Sequence, residues 1–435
     1  MVKFIFRRLL TMLLTMFIVS IVIFVVAEIA PGNVARNLLG AFATPEQEES
    51  FRERLGLNQP LHIRYISWLA GSDWRAERLV GMPLRRIKKP GTEFYEWWAV
   101  DEDGTMVRWK LEEEDLIALH LQPDGTVEEN IDNDRWQTDE EGVSRFWGVD
   151  QHNHAVMWEK GSGDTYWMRA KAAGWWVEQT GGARKYIPLR KGMLRGDPGE
   201  SVRTGRAVAG TLLRRLQNSV ILAGIAFVIV MPLALVLGLI AGINEGKAID
   251  RILSIGGLMT TATPEFATGI FLILILASWL KLVPGATVFA SERAIIENPK
   301  MLVLPVLTLT LIELGYVLRI TRASMVEVMK EPYIRTGFLK GLPYRRIVFK
   351  HAIRNALIAP ITVIMLHVNW LMGGIVVVEA IFGFPGLGKY LYDAAMYKDL
   401  SAIEAGAMVM VFLAVGTQLV ADIIYTFLNP RIRYA

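Results

Sequence analysis

The stretch Arg322–Ile364, RASMVEVMKEPYIRTGFLKGLPYRRIVFKHAIRNALIAPITVI, decides how this chain is read. Glu331-Pro332 predicts the start of a short helix, with proline at the first position, where its missing N–H costs nothing. Gly341 predicts the end of that helix. Pro343 then opens a second one carrying Arg345, Arg346, Lys350 and Arg354, and Lys330, Arg335 and Lys340 add further positive charge upstream. Apolar runs flank the stretch on both sides. On physical grounds alone it reads equally as two short helices that dock a partner at a membrane face, or as a positive loop that only sets topology.

Working outward, the composition favours a membrane protein. Hydrophobic residues make up 52% and charged residues 21%, and mean hydropathy is +0.32, leaving too little polar cover for a soluble domain. Six segments are long and apolar enough to span a bilayer: Leu9–Ala30, Ser219–Ile243, Ile252–Leu280, Met301–Ile320, Leu357–Ala380 and Glu404–Leu428. The first is too long for a signal-peptide core and lacks a following cleavage site, so it reads as a retained span. Lys3, Arg7 and Arg8 place the N-terminus in the cytoplasm. Six crossings return the C-terminus there, in agreement with Arg431 and Arg433, and they put the loop 322–355 on the same side. Arg203, Arg206, Arg214 and Arg215 stand against the rule, but long translocated segments escape it. Outside a slightly acidic stretch at about 75–195 the chain is basic, a pattern that fits cytoplasmic loops better than a nucleic-acid surface. The absence of cysteine excludes disulfides, thiolate metal sites and cysteine nucleophiles.

Residues 31–218 separate the first two spans. Thr44, Pro45 and Gln47 predict a capped helix start, and Leu55-Gly56 its stop. From about 75 to 191 the character changes: EFYEWWAVDEDGTMVRWKL, LHLQPDGTVEENI and SRFWGVDQHNHAVMWEKGSG alternate apolar with polar residues and break at Asp-Gly and Gly-Ser-Gly. That pattern predicts a run of hairpins, with the tryptophans more often core than ligand platform. His152 and His154 are expected to share one face of a strand, without a third metal ligand.

GFPGLGKY, Gly383–Tyr390, has the glycine spacing of a phosphate-cradling loop. Tyr390 stands where Ser or Thr would hold magnesium, and Pro385 removes an N–H, so it reads instead as a turn re-entering a helix. Glu265, Glu313, His367, Asn369 and Asp422 are polar guests in apolar spans. Each reads first as a helix–helix hydrogen-bonding group and second as part of a polar pathway. Pro264 predicts a kink before Glu265, and Glu313 reaches Arg319 only if its helix bends. No Gly-x-Ser-x-Gly elbow, His-Glu-x-x-His or nucleophile–base pair is present, which argues against enzyme activity and leaves no catalytic or metal residues to name.

YIRTGFLKGL followed by KHAIRNALIAPITVI resembles the EAA-type loop of ABC importer permeases of the oligopeptide/dipeptide/nickel class. FVVAEIAPGNVA, RGDPGESVRTGRAV, PKMLVLPVLTLTLIELGYVLRITRASM, GGIVVVEAIFGFPGLGKYLYDAA and VADIIYTFLNPRIRY follow in the order of the first permease of the pair. The resemblance implies an all-α polytopic membrane protein of type I importer fold, with six transmembrane helices and a β-rich extracytoplasmic insert between helices 1 and 2. Its divisions are 1–30, 31–218 with the Trp-rich insert at about 75–191, and 219–435. It implies a homologous second permease, two ATPase subunits that hold ATP and magnesium, a substrate-binding protein outside, membrane lipid, no nucleic acid and no cofactor in this chain. ATPase coupling is expected at Glu331, Tyr333, Arg335, Thr336, Lys340, Gly341, Leu342 and Arg345, and an outer loop at Phe382, Pro385, Gly386 and Gly388. Gly337-Phe338-Leu339 depart from the small and basic residues usual there. The expected cargo is a peptide carried across the inner membrane, with oligosaccharides, opines or metal chelates as alternatives and a ligand-binding membrane sensor as a further one.

Overall fold

Long apolar runs form long helices because a backbone without water must satisfy its own hydrogen bonds. The computed structural model describes residues 2–29, 44, 48, 52, 55–89, 92, 94–112, 115–140, 142–160, 166–170, 175–179, 182–287 and 298–428, with side chains described except at 2–5, 29, 166–184, 366–373 and 424–428. The predicted helix start at Thr44 therefore lies largely outside the described residues, as do Arg431, Arg433 and the side chain of Lys3. The chain divides into two compact units. Met1–Ser20, Leu212–Asp393 and Gly406–Ala435 form one, and Ile21–Thr211 with Ala394–Ala405 form the other.

The first unit is helical. It draws on α1 (Val2–Ile29), α4 (Val208–Ile243), α5 (Ala248–Ala262), α6 (Glu265–Leu272), α7 (Val303–Met329), α8 (Pro332–Leu339), α9 (Tyr344–Arg346), α10 (Ile353–Ala356), α11 (Ile358–Phe382), α12 (Leu387–Tyr397) and α13 (Leu400–Leu428). Each of the six predicted spans falls on these helices. Among the described residues five helices are long and apolar enough to cross a membrane, or up to seven if each of two bent pairs is one span. The first bent pair turns by 108° between Ala262 and Glu265, where Pro264 breaks the ladder as expected and Thr263 returns its hydroxyl to the Met259 carbonyl at 2.8 Å. The second turns by 74° between Phe382 and Leu387. Small residues let helices meet closely: a Cβ on Gly315 of α7 would lie 2.1 Å from the Gly257 carbonyl oxygen of α5. Asp250 and Arg322 join the same two helices, with Arg322 Nη2 donating to Asp250 Oδ2 at 2.8 Å.

The second unit holds the predicted hairpins. After α2 (Leu61–Leu69) and α3 (Asp73–Val80) come β1 (Leu84–Lys88), β2 (Tyr95–Val100), β3 (Met106–Glu112), β4 (Asp115–Leu121) and β5 (Val127–Ile131), which form an antiparallel meander in chain order. β6 (Gln137–Thr138), β7 (Ser144–Val149), β8 (His154–Lys160) and β11 (Gly182–Pro188) make a second sheet in the order β11-β8-β7-β6, and β9 (Tyr166–Ala170) pairs with β10 (Trp175–Gln179). The two-residue period of the strands turns Trp97, Ala99, Val107, Trp109, Leu116 and Ala118 inward against Phe146, Val149 and Trp158 of the second sheet. Trp109 meets Phe146 edge-on at 5.1 Å, and Phe146 stacks on Trp158 at 5.9 Å. Trp97, Trp109 and Trp158 are thus core. Trp109→Ala is expected to cost about 3–5 kcal/mol, read as a matching fall in resistance of the insert to limited proteolysis.

The two histidines do not share a strand face. His152 sits in the turn, Asn153 takes φ 64°, and β8 begins only at His154. The reversal forms because Asp150 accepts the His152 and His154 amides at 2.8 Å each and meets His154 Nδ1 at 3.0 Å. Burial raises the Asp150 pKa, yet these bonds outweigh it and hold the carboxyl below its ordinary value. His154 is a structural partner.

Candidate functional site

The loop that follows α7 is a small exposed knob on a buried foot. Pro332 opens α8, Glu331 precedes it with extended backbone at ψ 145°, and Gly341 turns the chain at φ 72°. After Pro343 the chain runs through α9 and a π-helical segment, Ile347–Ala352, into α10. Ile334, Ile347, Val348, Ala352 and Ala356 pack with Met325 of α7, which fixes the knob to a spanning helix. Opposite this foot, Glu331, Tyr333, Arg335, Thr336, Lys340, Gly341 and Arg345 are exposed, and Leu342 is half-buried. The structure thus leaves the predicted coupling residues exposed, apart from Leu342, which packs on the foot. It adds Phe338 and Leu339, which depart from the family pattern: Leu339 is 80% exposed, and Phe338 meets Tyr344 with rings 6.2 Å apart. Phe349 is 72% exposed, and Arg346, Lys350 and Arg354 are exposed as well. Exposed aromatic and aliphatic side chains together with basic ones have the composition of a docking surface. Tyr333 is held by Asn355, whose amide donates to the phenol oxygen at 2.7 Å.

The Gly383–Tyr390 loop closes around an acidic side chain after all, its own chain's Glu379. That carboxylate is fully buried. It accepts from the Ser219 hydroxyl and from the Lys389 amide at 3.1 Å. Ser219 Oγ in turn accepts from the Leu387 amide at 2.7 Å, and Asn218 donates to the Pro385 carbonyl at 2.8 Å. α4 is thereby tied to the first turn of α12, where free amides favour negative charge. Gly386 is required by this cradle, since a Cβ there would lie 2.0 Å from Glu379 Oε1. Phe382 and Phe384 are buried beneath it. The outer-loop residues expected from sequence are therefore a structural clasp, and Glu379 and Ser219, which sequence reading passed over, are its centre. A carboxylate just ahead of a Gly-Pro-Gly turn that opens a helix was the available signal.

The polar guests of the spans separate. Glu265 begins α6 and approaches Gly374 of α11, whose added Cβ would lie 3.0 Å from Glu265 Oε1. Glu313 on α7 is buried and electrostatically faces Glu265. Arg319 is exposed, on a different face of α7 from Glu313, so the pairing considered from sequence does not form: the helix does not bend to bring positions six apart together. Asp422 accepts from Gln418 at 3.2 Å and pairs with Arg8 of α1 at 3.2 Å, an interhelix role. The side chains of His367 and Asn369 lie outside the described residues.

Two family models match the chain. "Binding-protein-dependent transport system inner membrane component" covers residues 234–434, and the N-terminal model of the corresponding membrane component covers residues 1–78. The three sheets lie between these matches. The chain is 33% identical over 253 residues to the oligopeptide transport system permease protein AppB of Bacillus subtilis, covering 58% of this chain and 80% of that protein. It is 31% identical over 271 residues to the di/tripeptide transport system permease protein DppB of Pseudomonas aeruginosa, covering 58% and 81%. To the dipeptide transport system permease protein DppB of Escherichia coli it is 28% identical over 274 residues, again covering 58% and 81%. A crystal structure of an amino acid ABC transporter with histidines covers 50% of this chain and 94% of its own at 14% identity and a TM-score of 0.39, a likeness too slight to support any inference.

Proposed function

The chain belongs to the family of inner-membrane components of binding-protein-dependent transport systems, and from that premise we propose that it is the permease subunit of an ATP-driven importer of peptides. Relatives named for oligopeptide, dipeptide and di/tripeptide transport support the substrate class. On this reading six spans cross the inner membrane, both termini and the knob at 331–346 face the cytoplasm, and the Trp-rich insert faces outward. A second permease completes the pathway, a binding protein delivers the peptide, and ATP with magnesium is held on separate ATPase subunits. The observation that carries the coupling role is the knob itself. Its exposed apolar and basic surface stands on a foot packed against α7, so a push on the surface moves a spanning helix as a rigid lever. Closing ATPases would then convert hydrolysis into alternating access.

The chain contains no cysteine, which gives a direct test of orientation. A single thiol introduced as Leu339→Cys is expected to react with a membrane-impermeant reagent only in inverted vesicles. Glu102→Cys, at the exposed β2–β3 turn, is expected to react only from the outside of intact cells whose outer barrier is opened. Reaction of Leu339→Cys from outside would overturn the coupling role.

A further inference from the structure

Within the second unit, a cavity lies between the end of α1, the chain around Leu57, α2, the segment after β11 and the start of α13. Glu404 of α13 lines it and is only 3% exposed. Among the described residues no hydrogen bond or ion pair reaches its carboxylate, and the charged groups facing it are Arg190, Glu28 and Arg64. Both guanidiniums line the cavity with it. Arg64 is committed to Glu28, to which it donates directly. Arg190 is shared, facing Glu28, Glu200 and Glu404 at once. The nearby Arg86 is spent on Asp197 at 2.9 Å. The cluster therefore has more carboxylates than guanidiniums, and the surplus falls on the one carboxylate that faces the cavity without a partner. A buried, unpaired carboxylate is costly unless donors fill its lone pairs.

Two further side chains of the cavity offer acceptors. Gln59 has committed its amide nitrogen to the Tyr186 carbonyl at 3.1 Å, which leaves its carbonyl oxygen available. Ser401 is 2% exposed beside Glu404 and offers hydroxyl lone pairs. Phe24, Leu57 and Ile187 supply an apolar wall, and an aromatic face there is compatible with a cation. Glu404, Ser401 and Gln59 thus offer acceptors, and Phe24, Leu57 and Ile187 offer hydrocarbon, a lining that suits a group with N–H donors on an aliphatic stem. From this geometry we infer that the cavity is a binding site for a primary alkylammonium, held by Glu404, Ser401 and Gln59. The ammonium can come from a free amine or peptide N-terminus, or from a lysine side chain of a partner protein. The inference needs only the folded chain and stands independently of the peptide-import reading.

The test uses the full chain purified into lipid nanodiscs. n-Butylammonium chloride is titrated against sodium chloride of equal ionic strength and against 1-butanol, with thermal unfolding and calorimetry as readouts. Saturable stabilisation by n-butylammonium alone is expected. Glu404→Gln is expected to abolish it, and Ser401→Ala to weaken it roughly tenfold. Parallel titrations use alanyl-alanine and its N-acetyl form. Binding of alanyl-alanine but not of the acetylated peptide identifies an α-amine as ligand, whereas binding of n-butylammonium alone identifies a lysine-type side chain, and either result upholds the site. Stabilisation equal to that by 1-butanol or sodium chloride overturns it, as does no saturable response or one that survives Glu404→Gln. Should Glu404→Gln not yield folded protein, the outcome rests on Ser401→Ala, whose unchanged affinity would equally overturn the site.

Discussion

Glu379→Ala and Gly386→Ala are each expected to cost about 3–5 kcal/mol of stability, yet the double variant is expected to fall short of their sum by about 1–3 kcal/mol. The single losses have opposite origins. Removing the carboxylate leaves the Lys389 amide and the Ser219 hydroxyl without their acceptor in a buried site, and it also opens a cavity between α4 and the α11–α12 turn. Adding a methyl at Gly386 drives it to 2.0 Å from a carboxylate oxygen that has nowhere to go. Once the carboxylate is gone the methyl has room, so the two losses partly cancel. Ser219→Ala leaves Glu379 with one fewer donor and the Leu387 amide with none, at about 1–3 kcal/mol. Thermal unfolding of the four proteins in one detergent measures the cycle. Additive losses would mean that Gly386 and Glu379 are not in contact as described.

This clasp also shows what could and could not be read from the sequence. The hydropathy of the run ending at Ala380 located the long helix α11, and Gly-Phe-Pro-Gly marked its turn. Averaging over an apolar window nevertheless hid Glu379, a single charge among valines and isoleucines. Its partner Ser219 is 160 positions away in the chain, a distance no local pattern bridges. The same holds for Asp250 and Arg322, 72 positions apart, and for Glu404, whose environment is assembled from α1, α2 and the chain after β11. Local chemistry was legible wherever proline and glycine act alone: Pro332, Gly341 and Pro343 bound the two short helices of the knob, and Pro264 breaks its span. Periodicity located the insert strands and their tryptophan core. It misplaced His152 because a two-residue spacing looks identical in a strand and in a turn closed by Asp150.

Gly341→Pro is expected to abolish ATP-driven uptake while membrane insertion and chain level stay normal. Gly341 combines φ 72° with an amide that donates to the Phe338 carbonyl at 2.9 Å. Proline forbids both, since its ring fixes φ near −65° and it has no N–H. It also disfavours the conformation of the preceding Lys340, which sits at ψ 2°. Together these make a local cost of about 3 kcal/mol or more, spent on reshaping the turn between α8 and α9. The foot is spared, because Ile334 and Ile347 keep their packing against Met325. The spans accordingly remain folded while Leu339, Lys340 and Arg345 are displaced. No atom lies within 4 Å of a Cβ built at Gly341, so Gly341→Ala meets only the conformational penalty of about 1 kcal/mol and Gly341→Asn less still. Uptake is therefore expected to fall in the order Gly, Asn, Ala, Pro, in step with ATPase recovered alongside the permease in mild detergent. A proline variant that imports normally would show that no motor grips this turn, and a steep loss already at alanine would point to contact with the glycine itself rather than to the shape it permits.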